Sequence, residues 1–275
     1  MDIYQETERF YNGIRTEKSI IGKSVFGKNI FAVKIGEGKP VGLVQYAMHG
    51  REYITTKLAF EQYARGVSYG SVWFIPLVNP DGALLSQTGL TSIGRKEDKD
   101  FLLDVNGGEN FSLWKANARG VDLNVNFPAL WGKGAKNTFT AGAENYVGQK
   151  PLSEPETLAL HAFTRKIKPD YTVSYHTKGE EIYWYFYQDM RTLSRDKTLA
   201  LRLSKSTGYP LAYAKNSVGG YKDWCVQSLK IPAFTIEAGA DNFSHPLQGE
   251  TALNDIITKN INAIYDVAEE YVLRV

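Results

Sequence analysis

An α/β fold is predicted: one sheet covered by helices on both faces, with residues 1–275 as a single domain. Three observations predict it. Apolar runs rich in β-branched and aromatic residues recur at "VGLVQYAM" (41–48), "SVWFIPLV" (71–78), "YTVSYH" (171–176) and "PAFTIEA" (232–238). Between them lie stretches of helical periodicity. No linker, low-complexity tract or solenoid-period repeat divides the 275 residues, of which 43% are hydrophobic. Strands that are apolar throughout and alternate with helices belong to a sheet covered on both faces, whose ligands gather at the strand ends.

In chain order, the first buried strand is expected over 41–48. A helix "TTKLAFEQYARG" follows, stopped at Gly66, and then a second strand over 71–78. "NPDG" at 79–82 suits a tight turn, with Asp81 also a candidate to orient a ligating imidazole. Residues from about 86 to 150 lose the rhythm and are too long for a passive loop, so we expect a site-forming excursion. "SEPETLALHAFTRKI" reads as a helix with Ser153 at its N-cap, then the strand 171–176, the helix "TLALRLSKSTG", the strand 232–238 and one terminal helix over 251–274.

Thirty-two basic against 30 acidic residues leave a net charge of +2, which excludes binding nucleic acid through charge. No apolar run approaches the ~18 residues of a membrane span. The acidic start "MDIYQETERFYNGI" has no leader character. A cytoplasmic protein is therefore expected, with action in a spore or after lysis equally compatible; oligomeric state is left open. One cysteine, Cys225, excludes a disulfide framework or a cysteine zinc cluster, and reads as a small buried hydrophobe.

Any metal must then be held by His and carboxylate. There are four histidines. His161 falls on a helix face, and His245 in a loop before Pro246 reads as a surface residue. His49 and His176 each close an apolar strand. His49, Glu52 three residues on, and the distant His176 match the arithmetic of a zinc site that keeps one position open; the competing reading of an isolated H-x-x-E is a polar turn closing a strand. Glu237 is a lone carboxylate in an apolar strand, suited to a general base or else to a structural ion pair.

Taken together these residues resemble the zinc carboxypeptidase family, which contains pancreatic carboxypeptidases A and B. The likeness runs in order through "HGREY", "NPDG", "ARGVDLNVNF", "SYHT", "GGYKDW" and "FTIE". It implies a mixed, roughly eight-stranded twisted sheet flanked by helices, one Zn2+ held by His49, Glu52 and His176, and Glu237 as general base and acid. The cation that steadies the oxyanion falls at Lys115 or at the nearby Arg119, with Arg119 slightly preferred. Where the family has an Asn-Arg pair clamping a terminal carboxylate, this chain has Asn124 and Val125. Lys215 and Lys222 are candidates to restore the missing charge, and Tyr221 sits with them in "GGYKDW". Asp223 and Trp224 either hold that loop or touch substrate, and Arg51 either orients the metal turn or caps the strand.

"HTKGEEIYWYF" and "WKANARGVDLN" are similar to the γ-D-glutamyl-diamino-acid peptidases that cut bacterial cell-wall stem peptides. The resemblance implies hydrolysis of a γ-D-glutamyl amide beside a diamino acid such as meso-diaminopimelate. The alternatives are an ordinary peptide C-terminus, an amidated or ester-like small substrate, or a non-catalytic module that binds cell-wall fragments.

Overall fold

The computed structural model describes residues 1–214 and 216–274. Its strands are β1 (Lys18–Lys23), β2 (Asn29–Gly36), β3 (Val41–Tyr46), β4 (Ser71–Ile75), β5 (Tyr171–His176), β6 (Glu181–Tyr183), β7 (Leu211–Ala212) and β8 (Ala233–Glu237). The helices are α1 (Ile3–Gly13), α2 (Ile54–Arg65), α3 (Pro80–Thr88), α4 (Lys96–Asn106), α5 (Pro155–Ile167), α6 (Met190–Thr207), α7 (Tyr221–Trp224), α8 (Gly249–Asn260) and α9 (Ala263–Arg274).

The strands form one eight-stranded mixed sheet in the order β1-β2-β4-β3-β5-β8-β6-β7. The central four, β4, β3, β5 and β8, are parallel, and the antiparallel β2 and β6 flank them. Successive side chains of a strand point to opposite faces. Val44, Phe74, Val173 and Tyr175 accordingly pack in a core with Leu58, Leu199, Ile256 and Ile264. Leu43, Trp73 and Ile75 pack in the other with Leu160, Phe163 and Trp224.

The four apolar runs are the four central strands. The outer strands are shorter or half exposed, so their patterns carried less signal. The excursion after 86 is partly ordered: it contains α4 and a satellite core of Leu85, Ile93, Leu102, Phe111 and Trp114.

Strands β3 and β4 end at Tyr46 and Ile75, short of the expected 48 and 78, and three helix boundaries also differ from expectation. The N-cap of α5 is Glu154, not Ser153; the Ser153 hydroxyl donates instead to the Glu154 carboxylate at 2.7 Å. Helix α6 starts earlier than expected, where the Asp189 side chain accepts from the backbone N–H groups of Arg191 and Thr192. The terminal helix is two helices. At the break, the Asn260 carbonyl accepts from Gln62 Nε2 at 2.8 Å and its side chain donates to the Tyr209 hydroxyl at 3.1 Å. These tertiary bonds end α8 where the sequence periodicity runs on.

Gln62 is fully buried and ties α2 to the sheet and to α8: its Oε1 accepts from the Tyr46 hydroxyl, and its Nε2 donates to the Tyr175 hydroxyl at 3.1 Å. Gln62→Leu leaves these groups without a partner and is expected to lower stability by about 2–4 kcal/mol at unchanged m-value in urea unfolding.

Glu156, fully buried at the start of α5, accepts from Val25 N–H at 3.1 Å and from Asn117 Nδ2 at 3.1 Å. Burial pushes its carboxyl from the ordinary 4.5 up to about 7. Between those values the folded chain keeps a proton that the unfolded chain releases, so stability falls as pH rises through the window. Relative to Glu156→Gln, the wild type is expected to lose about 2–3 kcal/mol between about pH 5 and 8; a pH-independent difference in urea unfolding would contradict this.

Candidate metal centre and substrate cavity

The chain leaves β3 toward β4 on one side, while β5 and then β8 extend the sheet on the other. A crevice opens outside the carboxyl ends of the strands at such a reversal. His49 lies just beyond β3, and His176 ends β5 directly opposite Glu237 at the end of β8. Paired residues of parallel strands face the same way, so His176 and Glu237 are delivered together.

The metal turn is shaped by close packing. After His49 a 3₁₀ turn, Gly50–Glu52, brings the Glu52 carboxylate back toward the imidazole. A Cβ at Gly50 would lie 2.4 Å from the Gly82 carbonyl oxygen and 2.8 Å from that of Trp114, so only glycine fits. The Gly50 N–H donates to the Lys115 carbonyl at 2.9 Å and the Arg51 N–H to the Trp114 carbonyl at 2.8 Å. Asn79 caps α3 by accepting from the Gly82 N–H, and its Nδ2 donates to the carbonyls of Met48 and Ala116 at 3.1 Å each. The turn expected at "NPDG" is thus a helix start that also staples two loops of the site.

His49 Nδ1 lies 2.8 Å from Glu52 Oε1, His176 Nδ1 lies 2.9 Å from Glu52 Oε2, and the two Nδ1 atoms are 3.0 Å apart. All three side chains are buried and their donor atoms converge within 4.8 Å. Two imidazole nitrogens facing each other across one carboxylate are a donor set for a divalent cation, and a His₂Glu set leaves one coordination position open. Burial acts to raise the Glu52 carboxyl, but His49 and His176 outweigh it and hold it far below the usual carboxylate range.

Asp122 stands behind the ligands. Its Oδ1 is 3.2 Å from His49 Nε2 and its Oδ2 is 3.3 Å from Lys115 Nζ. Backbone N–H groups of Asn124 and Asn145 donate to it as well. Burial would raise its carboxyl, yet Lys115 and then His49 depress it well below the ordinary value. Held this way, the ring keeps Nδ1 toward the cluster. Its only trace in the sequence is a charged residue inside "GVDLNVNF". Asp81 does not take this part: it accepts from the Phe26 N–H at 2.8 Å, away from the histidines.

A cavity of about 520 Å³ opens beside the cluster, lined among others by Arg51, Lys115, Asn124, Val125, Lys222 and Glu237. Glu237 is partly exposed on its wall, yet enclosed enough that desolvation pushes its carboxyl up to about 7, against the pull of His176. Burial acts to lower the Lys115 ammonium, but Asp122 and Glu52 prevail and raise it, so it stays charged.

Lys222 Nζ reaches Asp223 Oδ1 at 2.5 Å and the Tyr185 carbonyl at 3.2 Å. Asn124 is fixed by accepting from the Tyr221 N–H at 3.2 Å, and Gly219 backs onto Val125. Lys215 lies outside the described residues.

Two expected residues are not brought to the cavity. The turn closed by the Gly120 N–H on the Asn117 carbonyl leaves the Arg119 guanidinium largely exposed, 3.6 Å from Glu154, while Lys115 lines the cavity beside the cluster. Tyr221 is fully buried, its hydroxyl 2.9 Å from Thr164 Oγ1 and its ring against Phe127, so it supports the loop and does not face the cavity.

His245 was expected at the surface but is half-buried, and its imidazole feels the charges of Arg51, Glu52, Lys178 and His49. Desolvation, then Arg51, pushes it down to about 4, so it is neutral at physiological pH. A loop residue brought back across more than a hundred positions carries no local signal. His161 does lie on a helix face, its ring tilted by 42° against that of Trp224 with centroids 4.5 Å apart, and Cys225 is buried. Among the described residues no helix is long and apolar enough to cross a membrane.

A family model described as zinc carboxypeptidase matches residues 4–260. The chain belongs to the zinc carboxypeptidase family. Zinc, the metal of that family's name, suits the His-Glu-His cluster. Among relatives in sequence, gamma-D-glutamyl-L-diamino acid endopeptidase 1 of Lysinibacillus sphaericus is 33% identical over 246 residues, 82% of this chain and 61% of that protein. Murein peptide amidase A of Escherichia coli K12 is 35% identical over 134 residues, 45% of this chain and 50% of that protein.

Bovine thrombin-activatable fibrinolysis inhibitor, solved with a tick carboxypeptidase inhibitor, shares the fold at TM-score 0.77 and 19% identity, covering 100% of this chain and 98% of that one. Murein-tripeptide amidase MpaA from Escherichia coli O157 shares it at TM-score 0.63 and 24% identity, covering 94% and 95%.

Asp122→Asn removes the charge that holds both His49 and Lys115. Metal retention against a chelator is expected to weaken about 10–100-fold, with the circular dichroism of the fold unchanged.

Proposed function

We propose that this chain, acting as one catalytic domain over residues 1–275, is a zinc peptidase that hydrolyses the γ-D-glutamyl–diamino acid amide of peptidoglycan stem peptides. The observation that carries the peptidase reading is the juxtaposition of the His49-Glu52-His176 cluster with Glu237, in register across β5 and β8, on the wall of one cation-lined cavity. The substrate class is supported by the relatives named for a γ-D-glutamyl-diamino acid bond and for murein peptide.

In this reading His49, Glu52 and His176 hold one zinc ion. When bound, zinc supplies Lewis-acid polarisation of the scissile carbonyl and a water acidic enough to ionise near neutrality. Glu237, its proton affinity raised by burial to the middle of the physiological range, accepts the proton of the attacking water and returns it to the leaving amine. Lys115, held charged by Asp122, faces the negative charge that develops on the carbonyl oxygen.

Val125 leaves the usual carboxylate clamp without its guanidinium. Asn124 and the Lys222–Asp223 pair present a donor, an ammonium and a carboxylate, a set complementary to a diamino acid that carries both charges.

Two measurements test this. Mass spectrometry of stem-peptide digests should show products severed between γ-D-glutamate and the diamino acid, with hippuryl-type α-peptides cut far more slowly; the reverse preference would refute the substrate assignment. Glu237→Gln should retain zinc by elemental analysis while hydrolysis falls about 10²–10⁴-fold. Undiminished turnover in that variant would remove Glu237 from the mechanism.

A further inference from the structure

Residues 183–187 are an unbroken aromatic run, "YWYFY", and the site described above uses none of its rings. β6 ends at Tyr183, and its two-residue alternation carries on past the ladder. Ile182, Trp184 and Phe186 are buried, whereas Tyr183 and Tyr185 are half-buried and Tyr187 is 67% exposed. Three tyrosines thus share the outer side.

β7, at the edge of the sheet, pairs in parallel with β6 through Tyr183↔Ala212. The next residue, Tyr213, is therefore set beside the run: its ring centroid is 5.8 Å from that of Tyr185, and it is 60% exposed. Tyr185 in turn lies 6.0 Å from Tyr187. Among the described residues no further strand covers this edge, so these three rings form an open aromatic path.

The path begins in the catalytic cavity. Tyr183 and Tyr213 line it together with Lys222 and Glu237. The Lys222 ammonium donates to the Tyr185 carbonyl at 3.2 Å and lies 5.2 Å from the centre of the Phe186 ring. A contiguous aromatic surface that runs out of a cavity into solvent is unfavourable until a ligand covers it, and such patches mark binding sites.

The charges of this wall say what the ligand is. Val125 is uncharged, and Lys222 is paired with Asp223 at 2.5 Å. In the reading above that pair meets the two charges at the far end of the diamino acid. Among the described residues this wall holds no unpaired buried cation for the main-chain carboxyl, which therefore need not be a free terminus. In amide linkage it carries the chain onward, and the adjoining surface is Tyr213. Flat rings with hydroxyl edges suit a peptide of small apolar residues, whose methyl groups pack on the ring faces while its amides bond to the hydroxyls.

We propose that Tyr213, Tyr185 and Tyr187 form an extension subsite on the leaving-amine side, which binds the peptide continuing beyond the diamino acid. This rests on the peptidoglycan reading above. It adds a place for the part of the substrate that outruns the cavity, and it makes a stem peptide that continues past the diamino acid a better substrate than one that ends there.

The test uses the zinc-loaded full chain and stem peptides that end at the diamino acid or carry one, two or four alanyl residues on its main-chain carboxyl. For wild type, kcat/KM at the γ-D-glutamyl bond should rise about 3- to 10-fold with the first alanyl residue and again with the longer extensions, mainly through KM. Tyr213→Ala should reduce the first gain to within about twofold. Tyr187→Ala should keep the first gain and lose the later one, because each ring-to-ring step spans about two residues of extended chain. Tyr187→Phe should retain both, since the ring face remains.

Tyr187 and Tyr213 are largely exposed, so their removal spares the core, and zinc content reports whether the site survives. Should a variant fail to fold, the wild-type series alone decides. A wild type that cuts the unextended peptide as fast as the extended ones, or faster, overturns the subsite while the peptidoglycan reading stands. A gain from a disaccharide on the amino end of the peptide, lost in Tyr187→Ala, assigns the path to a sugar and likewise overturns it. Hydrolysis of α-peptides alone overturns both readings.

Discussion

Everything at this site depends on the reversal of strand order between β3 and β5. Because the chain crosses from β3 to β4 on one side and the sheet continues through β5 and β8 on the other, no crossover covers the ends of the middle strands. Polar side chains placed there have an opening to face while their backbones remain in a rigid parallel ladder. The Tyr46↔Tyr175 and His176↔Glu237 registers carry that rigidity to the last residue of each strand. A slip of one residue would turn His176 into the core and bring its neighbour into the crevice.

Charge burial is the second constraint. Glu52, Asp122, Lys115 and two imidazoles lie within a few ångströms of one another with little solvent, which is tolerable because opposite charges alternate through the group. Loss of any member strands another. The backbone shares the load: the carbonyls of Trp114 and Lys115 accept from the N–H groups of Arg51 and Gly50 in the metal turn, and Asn79 joins both loops to α3. The excursion after residue 86 therefore has a structural task, and its satellite core around Trp114 makes those loops rigid enough to perform it.

The cations of the cavity differ in how far they are neutralised. Val125 brings no charge to the cavity wall, but Arg51, Lys115, Lys136 and Lys222 line the same cavity. Lys115 and Lys222 are held in internal pairs, and the arginine with an unpaired buried donor lies on the metal turn itself.

The four central strands, the principal helices, and the candidate set His49, Glu52, His176 and Glu237 were readable from the linear pattern. Apolar runs and the polar residues that end them are local features, and the order of six short motifs carried the family resemblance. Asp122, the neutral His245, the break before α9 and the burial of Tyr221 were not readable, because each is decided by a partner distant in the chain. Local propensity determined which segments became strands and helices and which donors stood at their ends. Only the tertiary structure decided which of those donors share an environment, since desolvation and charge pairing depend on the neighbours that folding assembles.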